Sequence, residues 1–320
     1  MLVFRSIEEI REKLPGAVVT IGNFDGIHLG HREIFRRVRA RAAERSGTSV
    51  VVTFIPHPLK VLAPELALPL ISTYAEKETL IGASAIGCLV TIPFTRAFAA
   101  LSAREFVADI LVARIGVRRL VIGHDYAFGR GREGDEETLR LLGAEFGFEL
   151  EALDPIGAGG TVYSSSAIRR LVEEGAVAEV VSHLGRHFSL GGSVVHGFER
   201  GTGLGFPTAN VATDKELIPR GGVYAVKVRI GDEIFDGACN IGTNPTFGGA
   251  ARTIETFLFD FDGDLYGRDL RLFFIQRLRD ERRFSGPEEL RTAIAADVAR
   301  SREILAATPL IEYHDYLEGQ

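Results

Sequence analysis

Short apolar runs alternate with amphipathic stretches through the first half of the chain. The apolar runs predict β-strands at 17–22, 49–54, 87–92, 117–123 and 148–153. The stretches between them repeat apolar residues three and four positions apart, which predicts helices at 31–45, 74–83, 102–114 and 135–146. Strand–helix alternation of this kind is typical of a parallel, doubly wound α/β sheet, whose ligands bind outside the carboxyl ends of the strands.

The pattern changes near residue 185. Gly, Pro, Asn and Asp now interrupt short apolar runs, which predicts strands at 188–197, 222–230, 233–240, 253–261 and 269–278. These strands predict a small antiparallel β-barrel. Ser285 is followed three residues later by Glu288, as in a capping box, and predicts a terminal helix over 285–307. We therefore expect one domain over 1–184 and a second over 185–320.

Length and charge narrow the class of protein. A chain of 320 residues is long enough for two domains with separate cores. A net charge of −6 argues against nucleic acid or an anionic membrane as partner, and no apolar run is long enough to span a bilayer. The N-terminus lacks the layout of a signal peptide, and two distant cysteines make no disulfide framework. We expect a cytoplasmic protein whose oligomeric state the sequence leaves open.

The turn after the first predicted strand carries two histidines, in the run GNFDGIHLGH over 22–31. His28 and His31 lie three residues apart and therefore share one face of the first helical turn. Free N–H groups and the helix dipole favour an anion there, and such donors suit attack on the α-phosphate of a nucleoside triphosphate. The alternative is a Gly-rich turn with two solvent-exposed histidines.

Two further segments of the first half carry candidate chemistry. Ser164, Ser165, Ser166 and Arg169 precede a helical run and suit phosphate binding; the alternative is a capped helix with solvated arginines. The charged, Gly-rich loop over 129–135 is interpreted either as a lid or as a surface loop.

The second half contains the Gly-rich run GTGLGFPTANV over 201–211, which lacks the G-K-[ST] of a Walker loop. Thr208 and Asn210 alternate onto one side of an extended segment and offer oxygens to a hard cation such as Mg²⁺. Glu255 lies in an otherwise apolar strand and could accept a proton from a substrate hydroxyl. The alternative for Glu255 is an outward-facing strand residue without a chemical role.

Asparagine is rare in this chain. Its four occurrences are Asn23, Asn210, Asn240 and Asn244, all in stretches flanked by Gly or Pro, which predicts loops. Either an amide contact or the ordinary preference of Asn for turns explains these positions.

Taken together, the motifs resemble the prokaryotic bifunctional riboflavin kinase/FAD synthetase family over nearly the whole chain. The motifs that carry the resemblance, in chain order, are GNFDGIHLGH, TFIPHP, PFTRAFAALSAREFV, GHDYAFGRGREGD, SSSAIR, GTGLGFPTANV, GVYAVKV, NIGTNPTFGG and IETFLFDFDGDLYG. The resemblance implies that the barrel phosphorylates riboflavin with ATP to give FMN, and that the α/β domain joins AMP from ATP to FMN to give FAD. Riboflavin, FMN, FAD and ATP would be its small-molecule partners, with Mg²⁺ as cofactor.

The resemblance also implies roles for individual residues. It assigns His28, His31, Arg169 and Glu255 to catalysis, with Glu255 as the kinase base. The ATP site of the adenylyltransferase would comprise Gly22, Asn23, Phe24, Asp25, Gly30, Asp125, Ser164, Ser165 and Ser166. His57 and Pro58 would border the flavin. The kinase site for ATP and Mg²⁺ would comprise Gly203, Gly205, Thr208 and Asn210, of which Thr208 and Asn210 bind the metal. Thr202 and Phe257 depart from the usual family residues.

Three other functions compete with this interpretation. One is an adenylyltransferase whose barrel only holds flavin. Another is a flavin-binding regulator without chemistry. The third is a nucleotidyltransferase with an H-x-G-H motif and an unrelated substrate, which the barrel motifs disfavour.

Overall fold

A computed structural model describes residues 1–196, 206–246 and 249–313. The chain divides into two compact units, Met1–Ser165 and Ser166–Gln320. In the described residues, no helix is both long and apolar enough to cross a membrane.

The first unit is built on a six-stranded parallel sheet. Its strands are β1 (Leu2–Phe4), β2 (Val18–Ile21), β3 (Ser49–Ile55), β4 (Cys88–Pro93), β5 (Arg119–Gly123) and β6 (Glu149–Leu153). Their spatial order is β1-β4-β3-β2-β5-β6, and every pair is parallel. Strand β1 was not predicted, because a three-residue edge strand has too little pattern to be recognised. The short strands β7 (Gly157–Ala158) and β8 (Thr161–Val162) form a separate hairpin.

Helices cover both faces of this sheet. They are α1 (Leu29–Ala43), α2 (Pro58–Leu62), α3 (Tyr74–Ala83), α4 (Arg96–Ala99), α5 (Ala103–Glu105), which continues as π-helix over Phe106–Ile115, and α6 (Glu136–Phe146). On one face α1 packs against Val18 of β2 and Val121 of β5. On the other face the π-helix and α6 form the larger core. The prediction of a doubly wound α/β sheet is confirmed.

The second unit contains a closed antiparallel β-barrel. It begins with α7 (Ser165–Glu174) and α8 (Val181–Leu184), followed by β9 (Phe188–Val195), β10 (Ala209–Ala212), β11 (Gly222–Ile230), β12 (Glu233–Thr246), β13 (Gly249–Leu258), β14 (Asp269–Arg279) and α9 (Pro287–Ala307). Pairing of β9 with β10 closes the ring β10-β13-β12-β11-β14-β9. Helix α9 packs on the outside of β11, β12 and β14, around Phe273, Ile304 and Leu305. The predicted barrel with a terminal helix is confirmed.

Local details differ from the prediction at several positions. The cap of α9 is Gly286, and Ser285 instead donates from its backbone N–H and its hydroxyl to Glu289. Asn210 lies in β10, and Asn240 and Asn244 lie in β12, so three of the four asparagines are strand residues. The division between units falls after Ser165, the first residue of α7, whereas the sequence placed the domain boundary after α8. The boundary at 184/185 stays a prediction.

Candidate functional sites

The turn from β2 into α1 is tightly wound. Phe24 and Ile27 have φ of +46° and +43°, in the left-handed region that favours glycine, and Gly26 has φ of +86°. Phe24 is buried, with its ring edge-on to His31 at 5.1 Å and to Phe35 at 4.9 Å. A Cβ on Gly22 would lie 2.9 Å from the Phe24 ring, so glycine is required there. Strained residues of this kind persist only when their surroundings hold them.

The two histidines of this turn stack on each other. Their ring centroids are 3.6 Å apart, and His28 caps α1 by accepting the His31 backbone N–H on Nδ1 at 3.3 Å. A Cβ on Gly30 would lie 3.0 Å from the His28 ring, which explains the glycine between them. Because His28 is only 6% exposed, the interpretation of two solvent-exposed histidines is wrong.

His31 has an electrostatic environment that opposes protonation. Burial, and then the neighbouring His28 and Lys77, hold the pKa of His31 well below its usual range. Its Nδ1 is buried and has no hydrogen-bond partner in the part of the chain that the structure describes. The pair therefore presents a neutral imidazole at a helix N-terminus, where an anion is favoured.

Asp25, expected at the ATP site, has its carboxylate engaged with backbone. It is 5% exposed and accepts the N–H of Ile71 on both oxygens at 3.0 Å and that of Ser72 at 3.1 Å. Its own carbonyl accepts the Ser165 hydroxyl at 2.9 Å. Asp25 thus fastens the β2–α1 turn to two distant segments of the first unit.

A buried lysine, which the sequence analysis missed, lies beside the same turn. Lys77 is 5% exposed, and its Nζ donates to the Asn23 carbonyl at 3.0 Å and to the Thr53 hydroxyl at 3.3 Å. Burial lowers the pKa of Lys77 to about 8, and the nearby Asp25 opposes that shift. The pattern of α3 offered no signal, since a lysine in an amphipathic helix is ordinarily solvated.

His57 and Pro58, expected near the flavin, follow β3 directly. His57 is 6% exposed and caps α2, accepting the Leu59 N–H on Nδ1 at 3.2 Å, and Pro58 is the first residue of that helix. The His57 backbone N–H donates to the Tyr74 hydroxyl at 3.0 Å.

Aromatic rings gather where β3, β4 and β5 end, a second feature that the sequence analysis missed. Neighbouring ring centroids lie 5.6 to 6.0 Å apart in a continuous group, which we call the aromatic cluster. Its members are Phe54, Phe94, Phe98, Phe106, Tyr126 and Phe128. The available signal was that each belongs to one of the first-half motifs.

The remaining first-half candidates lie at two places. Asp125 is exposed and follows β5, the strand that pairs with β2. Ser164 is half-buried and ends the segment before α7. Ser166 and Arg169 lie on α7 in the second unit, and their part in a phosphate site stays a prediction.

In the barrel, Glu255 lies between two asparagines. Asn210 on β10 and Asn240 on β12 are its direct cross-strand partners on either side. Such partners have Cβ atoms about 4.5–5.5 Å apart. Alternation places this row on the outer face of the barrel, the face on which Phe257 packs near α9. Glu255 therefore does face outward, but with a polar row around it that the sequence analysis did not anticipate.

Other residues expected at the kinase site are only partly described. Thr208 precedes β10 and is half-buried, two residues from Asn210. Phe257 packs edge-on against Phe206 at 5.4 Å. Gly203, Gly205 and Thr202 lie outside the described residues. The described residues hold no group of three or more His, Cys, Asp or Glu side chains arranged for a metal ion.

Comparison with known proteins identifies the family. A family model for FAD synthetase matches residues 10–167, and one for riboflavin kinase matches residues 184–305. The chain is 38% identical over 310 residues to the bifunctional riboflavin kinase/FMN adenylyltransferase of Escherichia coli K12, covering 96% of this chain and 99% of that protein. It is 39% identical over 307 residues to the protein of the same description from Pseudomonas fluorescens, covering 96% and 98%.

A solved structure is also similar over most of the chain. It is described as a macrolide-efflux protein from Streptococcus pneumoniae, with a TM-score of 0.86, 32% identity, and coverage of 94% of this chain and 98% of that one. Two family models in the expected order, and relatives matched over nearly their whole length, agree on both halves of the molecule. The chain therefore belongs to the bifunctional riboflavin kinase/FMN adenylyltransferase family.

Proposed function

We propose an assignment of the two reactions of this bifunctional enzyme to the residues described above. The enzyme phosphorylates riboflavin with ATP in its C-terminal part, and converts FMN and ATP to FAD and pyrophosphate in its N-terminal part. The observation that carries the assignment is the stacked His28–His31 pair at the N-terminus of α1, where a parallel strand ends.

In FAD formation a phosphate oxygen of FMN attacks the α-phosphate of ATP and pyrophosphate leaves. Negative charge grows on the α-phosphate oxygens, so donors fixed in advance lower the barrier. We assign this task to His28, His31 and the N-terminus of α1. Asn23 and Gly30 shape the turn at this site. Asp25 acts through the backbone it fastens, and Asp125, Ser164, Ser165, Ser166 and Arg169 stay candidates for contacts to ATP.

The flavin ring is assigned to the carboxyl ends of β3 and β4. Flat aromatic ligands stack on, or meet edge-on, the rings of aromatic side chains. The aromatic cluster offers half-buried rings at Phe54, Phe94 and Phe98, and Phe54 lies four residues before Pro58. His57 and Pro58 would border this surface.

In FMN formation Glu255 is the proposed base. It would accept the proton of the riboflavin 5′-hydroxyl as that oxygen attacks the γ-phosphate of ATP. A divalent metal fits the oxygens of Thr208 and Asn210, because Mg²⁺ takes few protein ligands and completes its shell with phosphate and water. When bound, Mg²⁺ would neutralise charge on the phosphates. Glu255 and Asn240 would hold the acceptor side of the site, and Asn210, on the other side of Glu255, would hold the metal.

We also propose a cytoplasmic enzyme with riboflavin, FMN, FAD and ATP as its partners. Both cysteines are buried free thiols, as a reducing compartment allows, and the net charge of −6 does not favour nucleic acid or anionic lipid.

Incubation with riboflavin, ATP and Mg²⁺, followed by chromatography of the flavins, tests the function. FMN should appear first and FAD should follow. FAD formation from supplied FMN without FMN formation from riboflavin would indicate an adenylyltransferase whose barrel only holds flavin. Binding of flavin without either product would indicate a regulator. If neither FMN nor FAD forms but the protein consumes ATP with a different acceptor, its substrate is unrelated to flavins.

A further inference from the structure

Lys77 is the buried charged group that the assignment above leaves without a role. Lys77 is 5% exposed, and burying a charge costs free energy unless the charged group is well paired. Its hydrogen bonds go to neutral oxygens, those of Asn23 and Thr53. Within the described residues this leaves one of its three N–H groups without a partner.

The segment that ends in Lys77 holds both sides of the β2–α1 turn. From residues 71 and 72, backbone N–H groups bind the Asp25 carboxylate. Lys77, in the helix that follows, donates to the carbonyl of Asn23. The Thr53 hydroxyl donates to the same carbonyl at 3.3 Å. Between these two anchors lies Phe24, whose positive φ needs such support.

The ammonium group of Lys77 also places a positive charge close to His31. Besides the Asn23 carbonyl, four groups lie around the ammonium. They are the Asp25 carboxylate from the turn, the Thr53 hydroxyl from β3, His31 from α1, and the Tyr74 ring of its own helix, whose centroid is 5.4 Å away. Asp25 is the anionic member of this set, and backbone N–H groups already satisfy it.

We propose that Lys77 is a positioning residue for adenylyl transfer: anchored on the Asn23 carbonyl, it holds the strained turn in place and supplies a fixed positive charge beside the His28–His31 pair. That charge has two effects. It keeps His31 neutral before ATP binds, and it favours the polyphosphate anion at the N-terminus of α1. The proposal rests on the assignment of His28 and His31 to adenylyl transfer.

The test uses the full-length protein with Lys77→Met, Lys77→Arg and, as a matched control, Lys13→Met, which alters an exposed lysine of the same unit. Loss of a fixed charge at a reacting phosphate should lower kcat for FAD formation by about tenfold or more in Lys77→Met. FMN formation by the barrel should change by no more than about twofold, because that chemistry resides elsewhere. Lys13→Met should match the unaltered protein in both reactions.

Two readouts separate this role from a merely structural one. By NMR the His31 imidazole should titrate at a higher pH in Lys77→Met, since a neighbouring positive charge has gone. FAD formation by the unaltered protein should fall above about pH 8, as the Lys77 amine loses its proton, and Lys77→Arg should lack this fall because arginine stays charged.

Several results would overturn the proposal. One is full FAD formation by Lys77→Met; another is an unchanged His31 titration in that variant. If Lys77→Met does not fold, the pH profile of the unaltered protein decides, and a rate that stays flat from pH 7 to 9.5 contradicts the role. Should His28→Ala keep normal FAD formation, the assignment of the histidines fails instead.

Discussion

At the scale of residues, His28 has two separable tasks: its Nδ1 caps α1, and its ring, stacked on His31, is the proposed donor to phosphate. His28→Ala removes both, and we expect FAD formation to fall about a hundredfold, the effect of losing a transition-state donor. FMN formation should stay within about twofold. Chromatographic assay of each reaction with its own substrates measures the two rates.

A second substitution at this position separates capping from chemistry. His28→Asn restores a side-chain acceptor at the N-cap, where alanine costs about 1 kcal/mol. Thermal unfolding should therefore show His28→Asn more stable than His28→Ala, while both variants fail to make FAD. FAD formation recovered by the asparagine variant would mean that His28 acts only as a cap.

The depressed pKa of His31 predicts a dependence of stability on pH. In the unfolded chain this imidazole gains a proton near pH 6.5, whereas the folded protein resists protonation until a lower pH. The unfolded state thus binds more protons below pH 6.5, and stability falls as pH decreases through this range. Each pH unit below 6.5 costs up to about 1.4 kcal/mol until the folded protein also takes up its proton.

The measurement compares urea unfolding of the unaltered protein with that of His31→Gln between pH 5 and 7.5. The difference in free energy of unfolding between the two should shrink as pH falls, because glutamine does not titrate. The contributions of other titrating groups to stability cancel in this difference. One of them is His187, since burial also lowers its pKa. A pH-independent difference would contradict the neutral state of the folded His31 imidazole.

Single residues also mark the limit of the sequence analysis. The H-x-G-H pattern predicted the paired rings, because spacing on a helix is a local property. The family resemblance places Asp25 at the ATP site, which stays a prediction, but no pattern indicated that Ile71 and Ser72 engage its carboxylate. Neither the pattern nor the resemblance indicated Lys77. Both depend on contacts with a segment about fifty positions away, which no local pattern contains.

At the scale of elements, three neighbouring strands align Asn210, Glu255 and Asn240 in one row. A cross-strand neighbour fixes the rotamer of the residue opposite it. We expect Asn240→Ala to lower FMN formation about tenfold, since small misplacements of a catalytic group are costly. Glu233→Ala, at the exposed far end of β12, is the matched control and should keep normal activity. Equal activity of the two variants would remove Asn240 from the site.

The same row gives a direct test of the base. Glu255→Gln keeps the shape of the side chain and removes its basicity, so it should fold, bind riboflavin and ATP, and lose most FMN formation. Supplied with FMN, it should still make FAD. Asp262→Asn, an exposed change beyond the end of β13, serves as the control. If Asp262→Asn lowers FMN formation more than Glu255→Gln does, and the two variants are equally stable, Glu255 is not the base.

Strands and helices with strong periodicity were predicted well, and α3 was predicted at its observed bounds. The failures are physical in origin. Strand β12 continues through Asn240 and Asn244, residues that ordinarily favour turns, because pairing with β11 and β13 overrides local preference. Strand β10 has four residues and follows a Gly-rich run, so its pattern was too short to detect.

At the scale of the whole molecule, the sequence located the change from α/β to β architecture near residue 185, whereas the division into two compact units falls at 165/166. Helices α7 and α8 have the amphipathic pattern of the first half, so periodicity assigned them to the first domain. In the structure they belong to the second unit. The Val172 carbonyl accepts the Arg220 N–H at 3.2 Å. A Cβ on Gly175 would lie 2.6 Å from the Arg277 side chain and 3.0 Å from the Tyr224 hydroxyl.

These contacts predict how fragments will behave. A fragment of residues 166–320 keeps α7 and α8 with the barrel, and we expect it to fold and to phosphorylate riboflavin without forming FAD. A fragment of residues 185–320 loses the fully buried side chains of Val172, Val177 and Val180. Each such side chain contributes about 1.5–3 kcal/mol, so the shorter fragment should be less stable by about 4.5 kcal/mol or more.

Thermal unfolding of the two purified fragments, with riboflavin phosphorylation as a second readout, decides between the two boundaries. A deficit of this size should lower the Tm of the 185–320 fragment by about 10 °C or more relative to the 166–320 fragment. Equal Tm values and equal kinase rates would place the boundary at 184/185 and make α7 and α8 dispensable for the barrel. A kinase rate that recovers only when residues 166–184 are present would instead make those helices part of the riboflavin kinase unit, because stability and activity would then depend on the same contacts.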